Sequence, residues 1–538
     1  MWTPSTSVPL LWEPISLLAY LMVSVTDSIG SIPALAVSLP FAAGAILAVY
    51  IFGLIIYRLT LHPLARYPGP LLARITNLYA VYHAYIGGCV RYGPNKVIFN
   101  TNTAIEDIYG RSANVQKSTA YRAFETSRTV HDTQSTINKV AHAHKRRVIS
   151  QAFSGSAIRS FENHVLEHVD AFVAYLTPAD ENEDKSEKML WSPSADMAQL
   201  CSRISFDLMA ELVFGKAFHM LDVADNRFII ELIQVAAFRV GVCLQMPLLA
   251  AWNIDKVFTP NVRKLRDQYV LVSRALAVDR MNMNSKRQDI FSHILAAKDP
   301  QTGKGFTMDE IWGESTLLIV AGSDAISTGM AACFYYLSRH HKAYAKAYIE
   351  VRSTFSSANE IRNGQKLKSC HYLHACIDEA LRMSPPVGGA LWRETCQKGV
   401  NIDGHMILQG YDVGVGIYAV QHNPVYYPDP FQYKPERWIV SEDNTKVSVD
   451  LARSAFSAFS IGPVGCGGKN LAYLELRVTI AKVLWTSDMK SAIGRLPEKP
   501  KPKYLNRYKD HCENEYWLRD RFTSWKDGPM IAFRVRQT

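Results

Sequence analysis

A single cysteine lies in the glycine-rich stretch Phe459-Ser-Ile-Gly-Pro-Val-Gly-Cys466-Gly-Gly-Lys-Asn-Leu-Ala472. Apolar residues at three-to-four-residue spacing follow it (Leu471, Leu474 and Val478), which predicts a helix directly after the loop. The positive end of a helix dipole favours a thiolate placed just before the helix, and glycines let the backbone pass close to a large flat ligand. The loop therefore suits a thiolate ligand of haem iron. A buried free cysteine in a glycine-rich turn is the alternative.

Two motifs upstream accompany this loop, Glu379-Ala-Leu-Arg382 and Phe431-Gln-Tyr-Lys-Pro-Glu-Arg-Trp438. Together with Phe459-x-x-Gly462 and Cys466-x-Gly468, in this order and spacing, they resemble the helix-K, meander and haem-binding motifs of cytochromes P-450, the haem-thiolate monooxygenases. The resemblance runs from about Tyr57 to the C-terminus and is strongest for fungal microsomal enzymes of secondary metabolism. It implies a mainly α fold with a small β portion, preceded by an N-terminal transmembrane helix.

The resemblance also implies a cofactor, haem b, with Cys466 as the axial ligand of its iron. His142 and Arg146, one helical turn apart, are expected to face the haem propionates, and so is Arg393 in a strand-like region. A buried, charge-assisted network is expected to hold the cysteine loop. The residues assigned to that network and to the loop around the haem are Glu379, Arg382, Arg437, Phe459, Gly462 and Gly468.

A long helix is predicted from the capping box Thr307-Met-Asp-Glu310 to about His340. Within it, Ala321-Gly322-Ser323-Asp324 resembles the oxygen-binding stretch of the family. Ala325 follows where the family usually has a threonine that helps deliver protons, and Thr328, one turn later on nearly the same face, is a candidate substitute. The chain departs from the family a second time at Val464, where an arginine for a propionate is usual.

The composition describes a large protein with a sizeable core, since 48% of the 538 residues are hydrophobic and 20% are charged. The formal net charge of +10 suits an acidic partner or an anionic membrane surface. No basic stripe with interleaved aromatic residues stands out, so we expect no nucleic-acid partner. Nine scattered cysteines without a Cys-x-x-Cys pair argue against a disulfide framework and for a reducing compartment.

The N-terminal part of the chain predicts a membrane anchor. Ala34–Tyr57 is 24 residues long and uncharged, which exceeds the roughly 20 residues needed to span a bilayer. Arginines follow this run and acidic residues precede it, so the positive-inside rule places the catalytic part in the cytosol. We expect an endoplasmic reticulum protein with a lumenal segment 1–33, an anchor 34–57, a proline-rich hinge 58–72 and a catalytic domain 73–538. A second inserted segment, Ile15–Thr26, is an open alternative.

The sequence also allows predictions for several segments outside these motifs. Ala73–Ile86 predicts an amphipathic helix, and the chain between Gly87 and Arg91 is shorter than in the family, through either a trimmed sheet or a missing piece of sequence. Phe218–Pro260 is apolar and is expected to form an irregular roof over a hydrophobic pocket. Arg519–Arg534 predicts a polar hairpin whose turn often touches substrate in relatives.

The resemblance implies the insertion of one oxygen atom from O2 into a hydrophobic small molecule, by hydroxylation or epoxidation. Electrons would come from NADPH through a membrane-bound flavoprotein, the NADPH–cytochrome reductase. A polyketide, terpenoid or alkaloid of fungal secondary metabolism is the expected substrate. Two alternatives stay open because of Ala325: a haem-thiolate isomerase, dehydratase or peroxide-driven enzyme, and a non-catalytic relative.

Overall fold

A computed structural model describes residues 32–75, 90–125, 130–177, 191–251, 260–283, 287–491 and 514–536 of the chain. The chain forms two compact units, Met1–Ala65 and Arg66–Thr538. The predicted segment Ile15–Thr26, most of the predicted helix Ala73–Ile86 and the short connection from Gly87 lie outside the described residues.

The first unit contains helix α1 (Ile32–Ile56), which continues into a π-helical turn, Tyr57–Leu61. The turn ends at His62, whose extended backbone is the conformation favoured before Pro63. Over Ala42–Leu61 the helix is long and apolar enough to cross a membrane, and large apolar side chains such as Val49 and Phe52 are exposed. None of the segment Ala42–Leu61 is buried, so this part of the helix is a candidate membrane span.

The second unit is mainly helical. Its α-helices are α2 (Leu71–Ile75), α3 (Asn102–Tyr109), α4 (Lys139–Ile149), α5 (Gly155–Leu176), α6 (Met197–Phe214), α7 (Phe228–Gln245), α8 (Pro247–Ala251), α9 (Pro260–Asn282), α10 (Ile290–Ala296), α11 (Met308–Arg339), α12 (His341–Thr354), α13 (Gln365–Ser369), α14 (His371–Met383), α15 (Ile417–Gln421), α16 (Lys446–Ala455) and α17 (Lys469–Thr486). The predicted mainly α architecture with a small β portion is confirmed.

Among the residues that the structure describes, the β portion consists of short strands in four sheets. The strands are β1 (Val90–Gly93), β2 (Lys96–Phe99), β3 (Val115–Lys117), β4 (Ala195–Asp196), β5 (Arg393–Thr395), β6 (Val400–Ile402), β7 (His405–Ile407), β8 (Asp412–Val415), β9 (Ser487–Ser491), β10 (Leu518–Arg519), β11 (Trp525–Lys526) and β12 (Met530–Val535). The largest sheet has the order β1-β2-β8-β5-β3, with β2 and β8 parallel and the other pairs antiparallel. A second sheet has the order β4-β12-β9, and β6–β7 and β10–β11 are two-stranded.

Helix α11 is the central element of the core. The predicted capping box is confirmed: the Thr307 hydroxyl accepts from the Glu310 N–H, and the Glu310 carboxylate accepts from the Thr307 N–H. The helix packs against α6, α9, α14 and α17. At Gly329 a Cβ atom would lie 2.9 Å from the Leu381 side chain, so the absence of a side chain lets α11 and α14 approach closely.

The prediction that Phe218–Pro260 is irregular is wrong, because helix α7 lies within this segment. Its residues from Phe228 to Gln245 contain no proline, and Glu231 in its first turn complements the helix dipole. The helix ends just before Pro247, which disfavours helical backbone at Met246. An apolar composition without periodicity therefore concealed a helix that is only partly buried.

A fully buried glutamate on α17 gives stability a pH dependence. Glu475 accepts one hydrogen bond, from the Ser205 hydroxyl at 3.0 Å, and its other carboxyl oxygen has no partner in the described part of the chain. Burial raises the pKa of Glu475 to about 8.

We expect Glu475→Gln to flatten this pH dependence. The folded pKa lies above the unfolded value of about 4.3, so the stabilising contribution is fully present below that value and is lost as pH rises through 8. Between pH 5 and 8 the free energy of unfolding of the wild type should fall by about 4 kcal/mol, whereas that of the variant should not show this fall. Thermal unfolding followed by circular dichroism at both pH values measures the change. An equal loss in the two proteins would contradict it.

Candidate active site

The cysteine loop, Phe459–Gly468, is held by its own backbone. The Cys466 N–H donates to the Phe459 carbonyl at 2.8 Å, and the Gly465 N–H donates to the Gly462 carbonyl at 3.1 Å. Gly462 has a φ of 68° and lies against the backbone of Tyr109, where a Cβ atom would overlap the Tyr109 carbonyl oxygen. Glycine is therefore required at this turn for both its backbone conformation and its lack of a side chain.

Cys466 is the exposed cysteine among those that the structure describes, and its side chain faces the cavity described below. The thiol is open to the cavity but is withdrawn from bulk solvent by the surrounding protein, and this desolvation raises its pKa. The N–H groups of Gly468 and Lys469, at the start of α17, and the charge of Arg146 act in the opposite direction by favouring the thiolate. A cation at the sulfur would add to these groups, so the loop is suited to hold a metal-bound thiolate.

Next to the loop, α14 carries one carboxylate that binds two arginines. Both oxygens of Glu379 accept from the Arg382 guanidinium, at 2.8 and 2.9 Å, and Oε1 also accepts from Arg437 Nε at 2.9 Å. The Trp438 indole N–H donates to the same carboxylate at 3.0 Å. Burial disfavours the charge of Glu379, but the two guanidinium groups outweigh it and hold its pKa below the usual range.

The network continues from α14 to the cysteine loop. Arg382 donates to the Gln421 carbonyl at 2.7 Å, and the Gln421 side-chain amide donates to the Arg382 carbonyl at 2.9 Å. The Gln421 side-chain oxygen accepts from the N–H of Ser457 at 3.0 Å, and the Ser457 carbonyl accepts from the N–H of Ser460. Gln421 was not predicted from the sequence, because a single glutamine outside a motif carries no signal.

A cavity of about 450 Å³ lies between the cysteine loop and α11. On the α11 side its wall is formed by Ala321, Gly322, Ala325, Ile326 and Gly329. The loop contributes Phe459, Val464, Cys466 and Gly468, and the opposite wall includes Leu232, Ile233 and Val240 of α7 and Phe522 of the connection between β10 and β11. The wall is predominantly apolar and surrounds the single thiol.

One part of the cavity wall gathers cationic and imidazole side chains. It is formed by Lys117, His142, Arg146 and Arg393, of which the last three were predicted. Burial, with Arg393 nearby, lowers the pKa of Lys117 to about 7, and burial with Lys117 and Arg146 lowers the pKa of His142 to about 3. The Nε of Arg393 has no partner among the described residues. Lys117 lies in a three-residue strand outside any motif, so no sequence pattern indicated its role.

The predicted oxygen-binding residues divide into two groups. Ala321 and Gly322 line the cavity, as does Ala325. The Asp324 carboxylate instead pairs with Lys526 of β11 at 3.2 Å, and both side chains are largely buried. Thr328 is fully buried, and its hydroxyl donates to the Asp324 carbonyl at 2.9 Å. The hydroxyl of Thr328 is thus satisfied within the helix.

The chain is similar in sequence and in fold to known proteins. The sequence model of the cytochrome P-450 family matches residues 72–505. Cytochrome P-450 monooxygenase poxM of Penicillium oxalicum is 39% identical over 506 residues, which are 90% of this chain and 93% of the relative. A cytochrome P-450 monooxygenase of Alternaria alternata is 37% identical over 512 residues, 91% of this chain and 96% of that protein. The crystal structure of the cytochrome P-450DA haem domain has a TM-score of 0.63 at 16% identity, covering 82% of this chain and 88% of that domain.

The fold and the cysteine loop define a protein of the haem-thiolate class. The chain belongs to the cytochrome P-450 family, and it is a cytochrome P-450 monooxygenase. The family implies haem iron bound by a cysteine thiolate. The residues present fit that group, because the cavity exposes one thiol and collects cations that would be neutralised by the two haem propionates. The predicted family, enzyme class and fold are confirmed.

We expect Glu379→Ala to destabilise the protein severely, since it leaves Arg382 and Arg437 buried without their carboxylate. Removing one partner of a buried ion pair costs about 3–5 kcal/mol. Lys346→Ala is the matched control, because it breaks an exposed pair with Glu436 that should be worth less than about 1 kcal/mol. Thermal unfolding and haem content of the purified proteins measure both effects. Equal stability of the two variants would contradict the role of the network.

Proposed function

We propose that this enzyme is a membrane-anchored monooxygenase that oxidises a hydrophobic small molecule with O2 and electrons from NADPH. The observation that carries the proposal is the cavity, in which an apolar wall and a helix lined with small residues surround a single exposed thiol. Bound haem would supply the activation of O2. Within the chain, Cys466 would hold the iron, and His142, Arg146 and Arg393 would bind the propionates.

The role of the remaining predicted residues is positional. Glu379, Arg382 and Arg437 would fix the loop that presents Cys466, through the hydrogen bonds that reach Ser457 by way of Gln421. Glycine in the loop and small residues on α11 would leave room for the cofactor and for O2. The contacts of each side chain in the fold support these proposed roles.

The cavity wall supports a proposal for the substrate class. Leu232, Ile233 and Val240 of α7, together with Phe522, would exclude water from the substrate and favour an apolar molecule. A polyketide, terpenoid or alkaloid of fungal secondary metabolism is the proposed class, by analogy with the fungal relatives. Deleting the gene and identifying the metabolite that accumulates would test this assignment.

Membrane attachment and electron supply complete the proposal. The segment 34–57 would anchor the protein in the endoplasmic reticulum membrane, with residues 58–72 as a hinge and residues 73–538 as the cytosolic catalytic domain. The exposed apolar surface of Ala42–Leu61 supports the anchor, and Arg58, directly after the segment 34–57, supports its orientation. Electrons would arrive through the NADPH–cytochrome reductase, a flavoprotein whose acidic docking face would suit the net charge of +10.

A peroxide-driven or isomerising reaction is a second candidate activity of the same haem-thiolate site. It is favoured by one observation, the alanine at position 325 beside an Asp324 that is already paired with Lys526. Such reactions do not require proton delivery to O2 from α11. A monooxygenase is distinguished from this candidate by oxygen consumption that depends on NADPH and the reductase.

We expect Cys466→Ala to abolish thiolate ligation of the iron. The reduced, CO-treated wild type should show the red-shifted Soret band of a thiolate ligand, and the variant should lack it. Cys396→Ala is the control, since Cys396 is a partly exposed free cysteine that does not line the cavity. A variant at Cys466 that retained the band would show that another residue is the ligand.

We expect Ala325→Thr to reduce the peroxide released per NADPH oxidised. A hydroxyl at the cavity wall can transfer protons that an alanine methyl cannot, and positioned proton transfer is worth roughly 10²–10⁴-fold in rate. Thr328→Val is the control, because that hydroxyl is buried and bonded to its own helix. NADPH consumption and peroxide assayed together measure the coupling. An increase in peroxide in Thr328→Val would instead assign the transfer to Thr328.

A further inference from the structure

Helix α11 carries a buried carboxyl group that neither the haem site nor the cysteine loop uses. Glu314 has no solvent exposure, and its Oε1 accepts from the Thr133 hydroxyl at 2.8 Å. Its Oε2 has no hydrogen-bond partner in the described part of the chain. An unsatisfied buried carboxyl oxygen is costly, and core packing alone would be served by an apolar residue.

On its outer side Glu314 is connected to solvent. Lys145 of α4 places its Nζ 3.9 Å from Glu314 Oε1 and 2.6 Å from Glu310 Oε1. The Lys145 side chain is 7% exposed, whereas that of Glu310 is 28% exposed. These three titratable side chains therefore follow one another from the surface to the interior, with a hydrogen bond between Glu310 and Lys145 and an ion-pair contact between Lys145 and Glu314.

On its inner side Glu314 is connected to the cavity. Thr133 and the neighbouring Asp132 both belong to the cavity wall. Gly313 allows this approach, because a Cβ atom there would lie 2.9 Å from the Val130 side chain. The lack of a side chain at Gly313 thus brings the segment that carries Thr133 against α11.

The other acidic residue of α11 near the cavity is less available. Asp324 pairs with Lys526, and Ala325 next to it has no hydroxyl to pass a proton onward. In the described part of α11, the carboxyl group that is joined to the cavity wall by a hydroxyl is that of Glu314. Among the described residues, Glu314 is therefore linked to the cavity wall through a hydroxyl group, whereas Asp324 pairs with Lys526.

We propose that Glu310, Lys145, Glu314 and Thr133 form a proton-entry route from solvent to the cavity. The proposal rests on the monooxygenase function proposed above, in which RH, O2, two electrons and two protons give ROH and H2O. At rest the Thr133 hydroxyl donates to Glu314; in each passage it turns, accepts the proton of the neutral Glu314 carboxyl group and releases its own proton to a water molecule in the cavity. Lys145 then reprotonates Glu314 and is reprotonated from solvent beside Glu310, so that no net charge accumulates.

The electrostatics of Glu314 suit this role. Burial, and then the neighbouring Asp132, raise its pKa to about 8, while Lys145 acts in the opposite direction. Lys117 of β3 also faces it from the cavity side. A carboxyl group with such a pKa holds a proton at neutral pH and can release it, which is the property a transfer group needs near its working pH.

The test uses full-length holoprotein with NADPH and the flavoprotein reductase, without added substrate, and follows oxygen consumed and peroxide formed. Reduction of O2 to peroxide takes two electrons and two protons, whereas reduction to two waters takes four of each. In Glu314→Gln we expect the share of oxygen reduced to water to fall about tenfold, which is less than the 10²–10⁴-fold of a fully lost proton transfer because cavity water can partly substitute. The wild type should lose this share as pH rises through 8, and the variant should show no such step.

Two further variants and one control make the test specific. Thr133→Val, which removes the hydroxyl link, should act in the same direction, and it carries the test if Glu314→Gln does not fold. Glu310→Gln keeps the capping box and should slow proton entry at the surface. Glu475→Gln is the matched control, since Glu475 is equally buried and accepts a serine hydroxyl but does not line the cavity. It should leave the peroxide share unchanged.

The possible results distinguish failure of the proton route from failure of the proposed monooxygenase function. Unchanged peroxide shares in both Glu314→Gln and Thr133→Val would overturn the proton route while leaving the monooxygenase function intact. An equal effect of Glu475→Gln would also overturn the route, because loss of any buried carboxyl would then explain it. A wild-type holoprotein without NADPH-dependent oxygen consumption would overturn both proposals.

Discussion

One buried carboxylate, that of Glu379, fixes the part of the structure on which the active site depends. A charged group with no solvent exposure is unfavourable unless charge-assisted hydrogen bonds replace water. Here Arg382, Arg437 and the Trp438 indole satisfy both oxygens. Because the partners come from α14 and from the segment after Lys434, the network joins two distant parts of the chain. Through Gln421 it reaches the residues that lead into the cysteine loop.

One part of the cavity wall carries a cluster of buried cationic side chains. Lys117, Arg146 and Arg393 lie close together and form no salt bridge within the described ranges of the chain, and burial together with these cations keeps His142 neutral. Such a cluster is stable only if an anion is bound or if its members lose charge. The carboxyl groups of Asp132 and Glu314 lie nearby, but burial raises the pKa of both and disfavours their ionised forms. The cluster is therefore suited to an anionic cofactor.

The departures of this chain from the usual sequence pattern fall on the two sides of the same cavity. Val464 makes the cysteine loop less basic, and Ala325 removes a hydroxyl from α11. Two other polar residues line the same cavity, Lys117 among the cations and Thr133 on the wall. Neither belongs to a motif, since each reaches the cavity through a segment far from Cys466 in sequence. Pattern reasoning detects the loss of an expected residue more readily than the gain of an unexpected one.

The sequence by itself determined the family, the mainly helical architecture, the capping box of α11 and the apolar N-terminal segment. These features depend on local spacing, such as Glu379 and Arg382 three residues apart on one helix face. Tertiary structure decided which polar groups meet: the pairing of Asp324 with Lys526, and the line from Glu310 through Lys145 to Glu314. It also decided that α7 is a helix, because its amphipathic signal is weak and its conformation is supported by packing over the cavity. Contacts between segments more than a hundred residues apart leave no periodicity in the sequence, so only the folded chain shows them.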